Sequence, residues 1–390
     1  MHDMSRCVIN PEISQDGYTS LSVPTYRAST ITFPDLQSYA SRGDRWPDGY
    51  TYGLNGTPTT RALEARLTSL EGGTRTALVP SGQCAVTMVL LSLLDAGDKL
   101  LIPDNVYPPV RGFAMHYLKP RGIDFEVYDT QIGAGIADLI DDRTRLIWVE
   151  SPGSTTMEVQ DVPAIVKAAH ARNVLVGCNN TWATPLLFKP LAHGADVSIE
   201  AITKYISGHS DLLMGSISTK DAAVHVRIKA TMRTLGIGVS PDDCFLVLRG
   251  LETMGVRIAH SGRVALELAQ LLIDSPVVKT VLHPGLPSCP GHDIWKRDFA
   301  GGSGVFSVVL DKAVQPDLSA ALSAMEFFTI GSSWGGTQSL IAPMEISGDR
   351  TLSTWDPMTI VLRINVGLED PRDLQADMKT LFARLEKSLA

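Results

Sequence analysis

Lys204 is the residue whose type and setting most directly suggest chemistry. It lies in the run Ser198-Ile-Glu-Ala-Ile-Thr203-Lys204-Tyr205-Ile-Ser-Gly208-His209-Ser210-Asp211, directly after a strand candidate. A lone lysine is ordinarily a solvated surface group. One that follows apolar residues at the ligand-binding edge of a sheet is desolvated, which lowers its pKa and frees an amine for Schiff-base chemistry. A Schiff-base lysine points to pyridoxal 5'-phosphate, whose other needs can be sought independently. These are a cradle of backbone amides at a helix start for the phosphate, an aromatic face, a partner for the ring nitrogen and an arginine for the substrate carboxylate.

Each need has a candidate. Ser81-Gly82-Gln83 lies between a strand and a helix, so its amides can face a phosphate. Tyr107 follows the next strand and can stack on a ring. Asn179 ends the strand before the one leading to Lys204. Arg363 lies on a late strand and faces the cleft if the C-terminal part closes over the first.

The elements that must position them follow from hydropathy patterning. Short apolar runs at 76–79, 99–102, 124–128, 146–150, 175–178 and 196–199 alternate with helical patterns. Between two of them Val162, Ile165, Val166 and Ala169 share one helical face behind the capping residue Asp161. Such alternation implies an α/β fold with a mainly parallel sheet covered on both sides, whose ligands bind beyond the carboxyl ends of the strands. After about residue 245 the rhythm changes to long helices with a few strands, including 305–310 and 360–365. The last helix has Asp370 as cap, Pro371 in its first turn, and Leu374, Met378, Leu381, Phe382 and Leu385 on one face. The expected division is an N-terminal arm over 1–50, a large cofactor-binding domain over 51–245 and a smaller C-terminal α+β domain over 246–390.

Composition narrows the function. The 390 residues are 44% apolar and 19% charged, so the chain is globular rather than disordered. A net charge of −8 without a basic run argues against nucleic acid or anionic membrane as a partner. The five cysteines form no C-x-x-C pair, and residues 1–10 have no apolar core of a secretory signal, which together suit a reducing cytoplasm. The uncharged stretch 76–94 is broken by Pro80-Ser-Gly-Gln83 and reads as strand, turn and helix rather than a membrane span. No Gly-Lys dipeptide occurs, which removes the P-loop, and the nine histidines lack ligand-like spacing, so no metal is expected. Gly331-Ser-Ser333-Trp-Gly335 fits the nucleophile-elbow pattern of hydrolases, but every histidine precedes Ser333, the wrong chain order for that triad.

From about Tyr50 to the end the chain resembles the Cys/Met-metabolism family of pyridoxal-phosphate enzymes, and within it the cystathionine beta-lyases. The resemblance rests on Tyr52-Gly53, Leu70-Glu-Gly-Gly73, Glu150-Ser-Pro-Gly-Ser154 with Met157-Glu-Val, and Asn180-Thr-Trp182. It continues through Thr203-Lys-Tyr205, Gly208-His-Ser-Asp211, Trp295-Lys-Arg-Asp-Phe299, Ser333-Trp-Gly-Gly336, Arg363 and Gly367-Leu-Glu-Asp370. The Ser-Pro-Gly-Ser run is similar to the beta-lyases rather than the gamma-acting members. The resemblance implies an aspartate-aminotransferase-like fold, fold type I, and a homotetramer with active sites shared between paired subunits. It implies that Lys204 joins the cofactor and moves protons, that Tyr107 stacks on the pyridine, and that Gly82, Gln83 and Thr203 hold the phosphate. By the same resemblance Arg363, helped by Ser333, binds the substrate carboxylate, Trp334 borders the substrate pocket, and Tyr52 reaches the phosphate of a neighbouring subunit.

Two departures bear on that expectation. Leu54 stands where the family carries an arginine that grips the partner's phosphate, a loss of about 1.5–3 kcal/mol unless another residue substitutes. The family's Asp-Asn-Thr appears as Asn179-Asn180-Thr181, placing an amide where a carboxylate keeps the ring nitrogen protonated. Losing about one to two kcal/mol of carbanion stabilisation slows proton abstraction roughly five- to thirtyfold. The expected reaction is beta-elimination from L-cystathionine or a related cysteine S-conjugate. Its rivals are gamma-elimination, replacement or racemisation at the same cofactor, and a non-catalytic relative.

Overall fold

The computed structural model describes residues 16–353 and 355–389. The first ten residues, Cys7 and the start of the expected arm lie outside the described residues. Seven strands form the larger sheet: β1 (Arg75–Val79), β2 (Lys99–Pro103), β3 (Asp124–Tyr128), β4 (Thr144–Glu150), β5 (Leu175–Asn179), β6 (Val197–Glu200) and β7 (Gly215–Thr219). Their spatial order is β1-β7-β6-β5-β4-β2-β3. Every pairing is parallel except those of β7, which runs antiparallel to β1 and β6. A second sheet contains β8 (Val278–Leu282), β9 (Val305–Leu310), β10 (Thr329–Ile330), β11 (Leu340–Met344) and β12 (Ile360–Asn365), in the order β10-β11-β12-β9-β8.

Alternation along the strands decides which helices cover which face. Ala77, Val79, Leu100, Ile102 and Trp148 pack in one core with helices α2 and α4, while Leu78, Leu101, Ile147 and Val149 pack in the other with α1, α3 and the first half of α5. These helices are α1 (Pro58–Glu71), α2 (Gly82–Leu93), α3 (Val162–His170), α4 (Ala222–Leu235) and α5 (Pro241–Leu272). Asp161 caps α3, its side chain accepting from the Ala164 N–H. The final helix, α6 (Pro371–Glu386), buries the five apolar residues its spacing singled out. It packs on the second sheet together with Val264, Leu268 and Leu272 of α5. Helix α5 thus runs through position 245 and belongs to both cores.

Strand β7 carries no apolar alternation to betray it. Its sequence is Gly-Ser-Ile-Ser-Thr, yet all five residues are buried, and the Ser218 hydroxyl pairs with that of Thr76 at 2.8 Å. The hydroxyls of Ser216 and Thr219 have no partner among the described residues, so it is the small size of these side chains, with one hydroxyl pair, that suits a tightly enclosed strand. Among the described residues no helix is long and apolar enough to cross a membrane.

Candidate active site

Parallel strands end on one side of the sheet, so the turns after β1, β2, β4, β5 and β6 converge there. They form a cavity of about 280 Å³ lined by Ser81, Gly82, Gln83, Tyr107, Glu150, Asn179, Thr181, Thr203 and Lys204. The second sheet closes it with Ser333, Trp334 and Arg363.

One end is built from backbone. Ser81 caps α2, its side chain accepting from the Cys84 N–H at 3.0 Å and its carbonyl from the Ala85 N–H at 3.0 Å. The amides of Gly82 and Gln83, in the first turn, have no intrahelical acceptor and sit where the helix dipole favours an anion. A Cβ on Gly82 would lie 2.5 Å from Ala201 Cβ, so only glycine lets the helix approach the lysine loop so closely. The Gln83 side chain donates to the Pro109 carbonyl at 3.2 Å, and its backbone amide lies free in the first turn. Thr203, expected beside the phosphate, lines the same cavity. Its hydroxyl donates to the Met214 carbonyl at 3.2 Å and accepts the Met214 N–H at 3.1 Å, tying the lysine loop to the residue before β7.

The other end is built from side chains. Lys204 Nζ donates to Ser333 Oγ at 2.5 Å and lies 5.4 Å from the Trp334 ring centre. Burial, and then the charge of Arg363, push its amine down to about 8. Ser333 adopts a φ of +76°, a left-handed conformation that costs a non-glycine residue energy and persists only where its surroundings hold it. Here its hydroxyl meets Lys204 and its carbonyl accepts from Arg363 Nη2 at 3.3 Å. The serine of the apparent nucleophile elbow therefore bridges the amine and the guanidinium. Arg363 sits on β12, paired with Ala342 and Ser307 of the neighbouring strands.

Asn179 and Tyr107 meet at a residue to which the sequence reading gave no role. Glu150 ends β4 directly opposite Asn179, which ends β5. Its Oε2 accepts the Tyr107 N–H at 3.1 Å and Asn179 Nδ2–H at 3.3 Å. Burial pushes its carboxyl up to about 7 against these two donors. Two adjacent parallel strands ending in polar residues were the available signal. Tyr52 stands apart, in a groove shared with Leu54 and three arginines, Arg42, Arg45 and Arg233. Among the described residues, Cys84, Cys178, Cys244 and Cys289 are free thiols.

An amine of lowered pKa, an amide-lined helix start, an aromatic ring and an arginine around one cavity fit pyridoxal phosphate, and define a Schiff-base enzyme of the aminotransferase-like α/β class. Only the place of the ring-nitrogen partner differs, being an amide. The family model described as "Cys/Met metabolism PLP-dependent enzyme" matches residues 6–383, and the chain belongs to that family. It is 39% identical to the cystathionine beta-lyase of Bordetella avium, over 94% of this chain and 93% of that protein. It is 40% identical to the L-alanine/L-glutamate racemase of Wolbachia pipientis wMel, with the same two coverages. A crystal structure of cystathionine gamma synthase from Xanthomonas oryzae superposes with a TM-score of 0.86 at 28% identity, over 96% of this chain and 95% of that one.

Proposed function

We propose that the protein is a carbon–sulfur beta-lyase that cleaves L-cystathionine or a related cysteine S-conjugate to a thiol, pyruvate and ammonia. The observation that carries this reading is the Lys204–Ser333–Arg363 arrangement, which sets a proton-carrying amine beside a carboxylate clamp. Similarity to cystathionine beta-lyases over nearly the whole chain supports it. When bound, pyridoxal phosphate withdraws electrons from the α-carbon of an attached amino acid, which acidifies its C–H bond and labilises a sulfur on the β-carbon.

Gly82 and Gln83 would hold the phosphate through their amides, with Thr203 beside them, and Tyr107 would cover the ring. Asn179, fixed by Thr181, would face the ring's edge. Arg363 would take the α-carboxylate in its planar fork, with Ser333 keeping that fork in place. Lys204 Nζ, its pKa lowered to about 8, can accept the α-proton and return it to the departing sulfur. The C–S bond breaks as the α-proton moves to Nζ, and the enamine released hydrolyses to pyruvate and ammonia. Trp334 would border the substrate beside the lysine.

A racemase reading draws support from the similar L-alanine/L-glutamate racemase. We also read the molecule as cytoplasmic and homotetrameric, with Tyr52 serving a neighbouring subunit. Its exposed ring, outside the cavity of its own chain, is consistent with that task. The division at residues 50 and 245 into arm, large domain and small domain belongs to the same reading.

The test is to incubate the protein with pyridoxal phosphate and L-cystathionine and identify both products. Pyruvate with homocysteine establishes beta-elimination, and 2-oxobutyrate with cysteine overturns it in favour of gamma chemistry. Loss of optical activity from L-alanine or L-glutamate without elimination establishes the racemase.

A further inference from the structure

Asn179 is locked in one orientation. Its Oδ1 accepts from the Thr181 backbone N–H at 3.2 Å and from the Thr181 hydroxyl at 2.6 Å. A backbone N–H only donates, so the atom facing it must be the amide oxygen, and the nitrogen must point the other way. The Thr181 hydroxyl accepts the Ala201 N–H at 2.9 Å, which leaves its own hydrogen for Asn179. Both lone pairs of Oδ1 are then occupied.

The nitrogen has two hydrogens, and one goes to Glu150 Oε2 at 3.3 Å. That oxygen is held by the Tyr107 N–H, so the carboxyl cannot swing away without breaking the contact that places the stacking ring. What Asn179 can still offer is one N–H donor and no acceptor.

Asn179 lines the same cavity as the start of α2, Tyr107 and Lys204. In pyridoxal phosphate the ring nitrogen lies across the ring from the carbon that joins the lysine. A protonated pyridine nitrogen requires an acceptor, and an unprotonated one is itself an acceptor that requires a donor. We propose that Asn179 meets the ring nitrogen as a hydrogen-bond donor through Nδ2 and holds the bound cofactor with that nitrogen unprotonated, Glu150 acting as the positioning residue behind it. This rests on the cofactor site and not on the lyase reading, because it concerns the holoenzyme before any substrate arrives.

The experiment is nitrogen-15 NMR of the holoenzyme reconstituted with cofactor labelled at the ring nitrogen. The wild-type signal is expected at the position of a neutral, hydrogen-bonded pyridine. In Asn179→Asp it moves to the pyridinium position, because a carboxylate accepts where the amide donated. In Glu150→Gln it stays neutral, because the new amide oxygen can still accept from Asn179. A pyridinium signal in the wild type overturns the proposal, as does an Asn179→Asp signal that does not move. If Asn179→Asp takes up no cofactor, Asn179→Ala is read instead. Loss of the donor should displace the neutral signal from its hydrogen-bonded position, and an unmoved signal there also overturns the contact. A neutral wild-type signal without turnover of cystathionine would fail the lyase reading alone, and a pyridinium signal with turnover would fail this inference alone.

Discussion

Two buried acidic sites lie two strands apart on the same sheet, and only one is placed to do chemistry. Glu150 closes β4 and faces the cavity. Glu200 closes β6 and lies with Glu71, the last residue of α1, in a sealed interior where neither lines that cavity. Burial raises the pKa of all three carboxyls. For Glu200 the charge of Glu71 adds to burial, while the Asn180 amide opposes it. A second oxygen on each of Glu71 and Glu200 has no partner among the described residues. A displaced pKa therefore marks both places equally, and what separates them is the company. Glu150 shares its cavity with an amine, a guanidinium and a phenol, whereas the Glu71–Glu200 pair has Ser198 and Asn180 as hydrogen-bond partners and the charge of Lys189 acting on Glu71.

The largest effects should fall on the cavity side of this comparison. Lys204→Ala removes the only amine lining the cavity among the described residues, so turnover should drop by about 10³-fold or more, with loss of the visible absorbance of lysine-bound cofactor. Glu200→Gln should leave turnover at the wild-type level. Steady-state elimination assays on both variants, loaded with cofactor, measure the contrast. Comparable losses in the two would erase the distinction.

Arg363→Lys keeps the charge beside Lys204 but gives up the planar fork. Losing one charge-assisted bond to the substrate carboxylate should raise KM about 10- to 100-fold, with a smaller change in kcat. A reduction in kcat at unchanged KM would instead place Arg363 in the proton-transfer step.

The same comparison explains how much could be read without coordinates. The lysine run, the cap of α2 and the strand ends holding Tyr107 and Asn179 were legible because each is local: an apolar run, a turn and a polar residue. Strand β7 was not, because Gly-Ser-Ile-Ser-Thr owes its place to backbone pairing with β1 and β6 and to small side chains rather than to hydropathy. Glu150 appeared only as part of a motif. Its task depends on the register that sets it opposite Asn179, and no spacing along one chain segment encodes a register between two. Thr203 was legible as a site residue but not in its bonding, since Met214 lies eleven positions away. Ser333 matched a hydrolase pattern, and only its contacts with Lys204 and Arg363 show what its left-handed backbone holds in place.

On the sealed side the effect should be one of stability and pH. The folded-state pKa of Glu200 is raised above its ordinary value of 4.5, so above that pH the folded state binds more protons than the unfolded state. Stability must therefore fall as pH rises from 4.5 toward the folded value. Glu200→Gln removes one member of the pair, while an amide oxygen can still accept from Asn180. The variant should match wild type near pH 5 and become increasingly more stable than it as pH rises to 8. Unfolding curves at the two pH values give the difference, and an equal gap in both proteins would show that the pair carries no pH-dependent cost.

The smallest effects separate two helix caps. Ser81 caps α2 inside the cavity, and Asp221 caps α4 on the exposed surface, its side chain accepting the Ala223 N–H at 2.7 Å. Each loses one satisfied amide on substitution by alanine, so both variants should cost about 1 kcal/mol of stability. Only Ser81→Ala frees the Cys84 amide beside those of Gly82 and Gln83 and loosens the turn that presents all three. Its cofactor dissociation constant should rise severalfold, measured by the return of absorbance on titration with pyridoxal phosphate, while Asp221→Ala should titrate like wild type. Equal affinities in the two variants would mean that the start of α2 does not bear on the cofactor, and the phosphate would have to be held by the side chains around it.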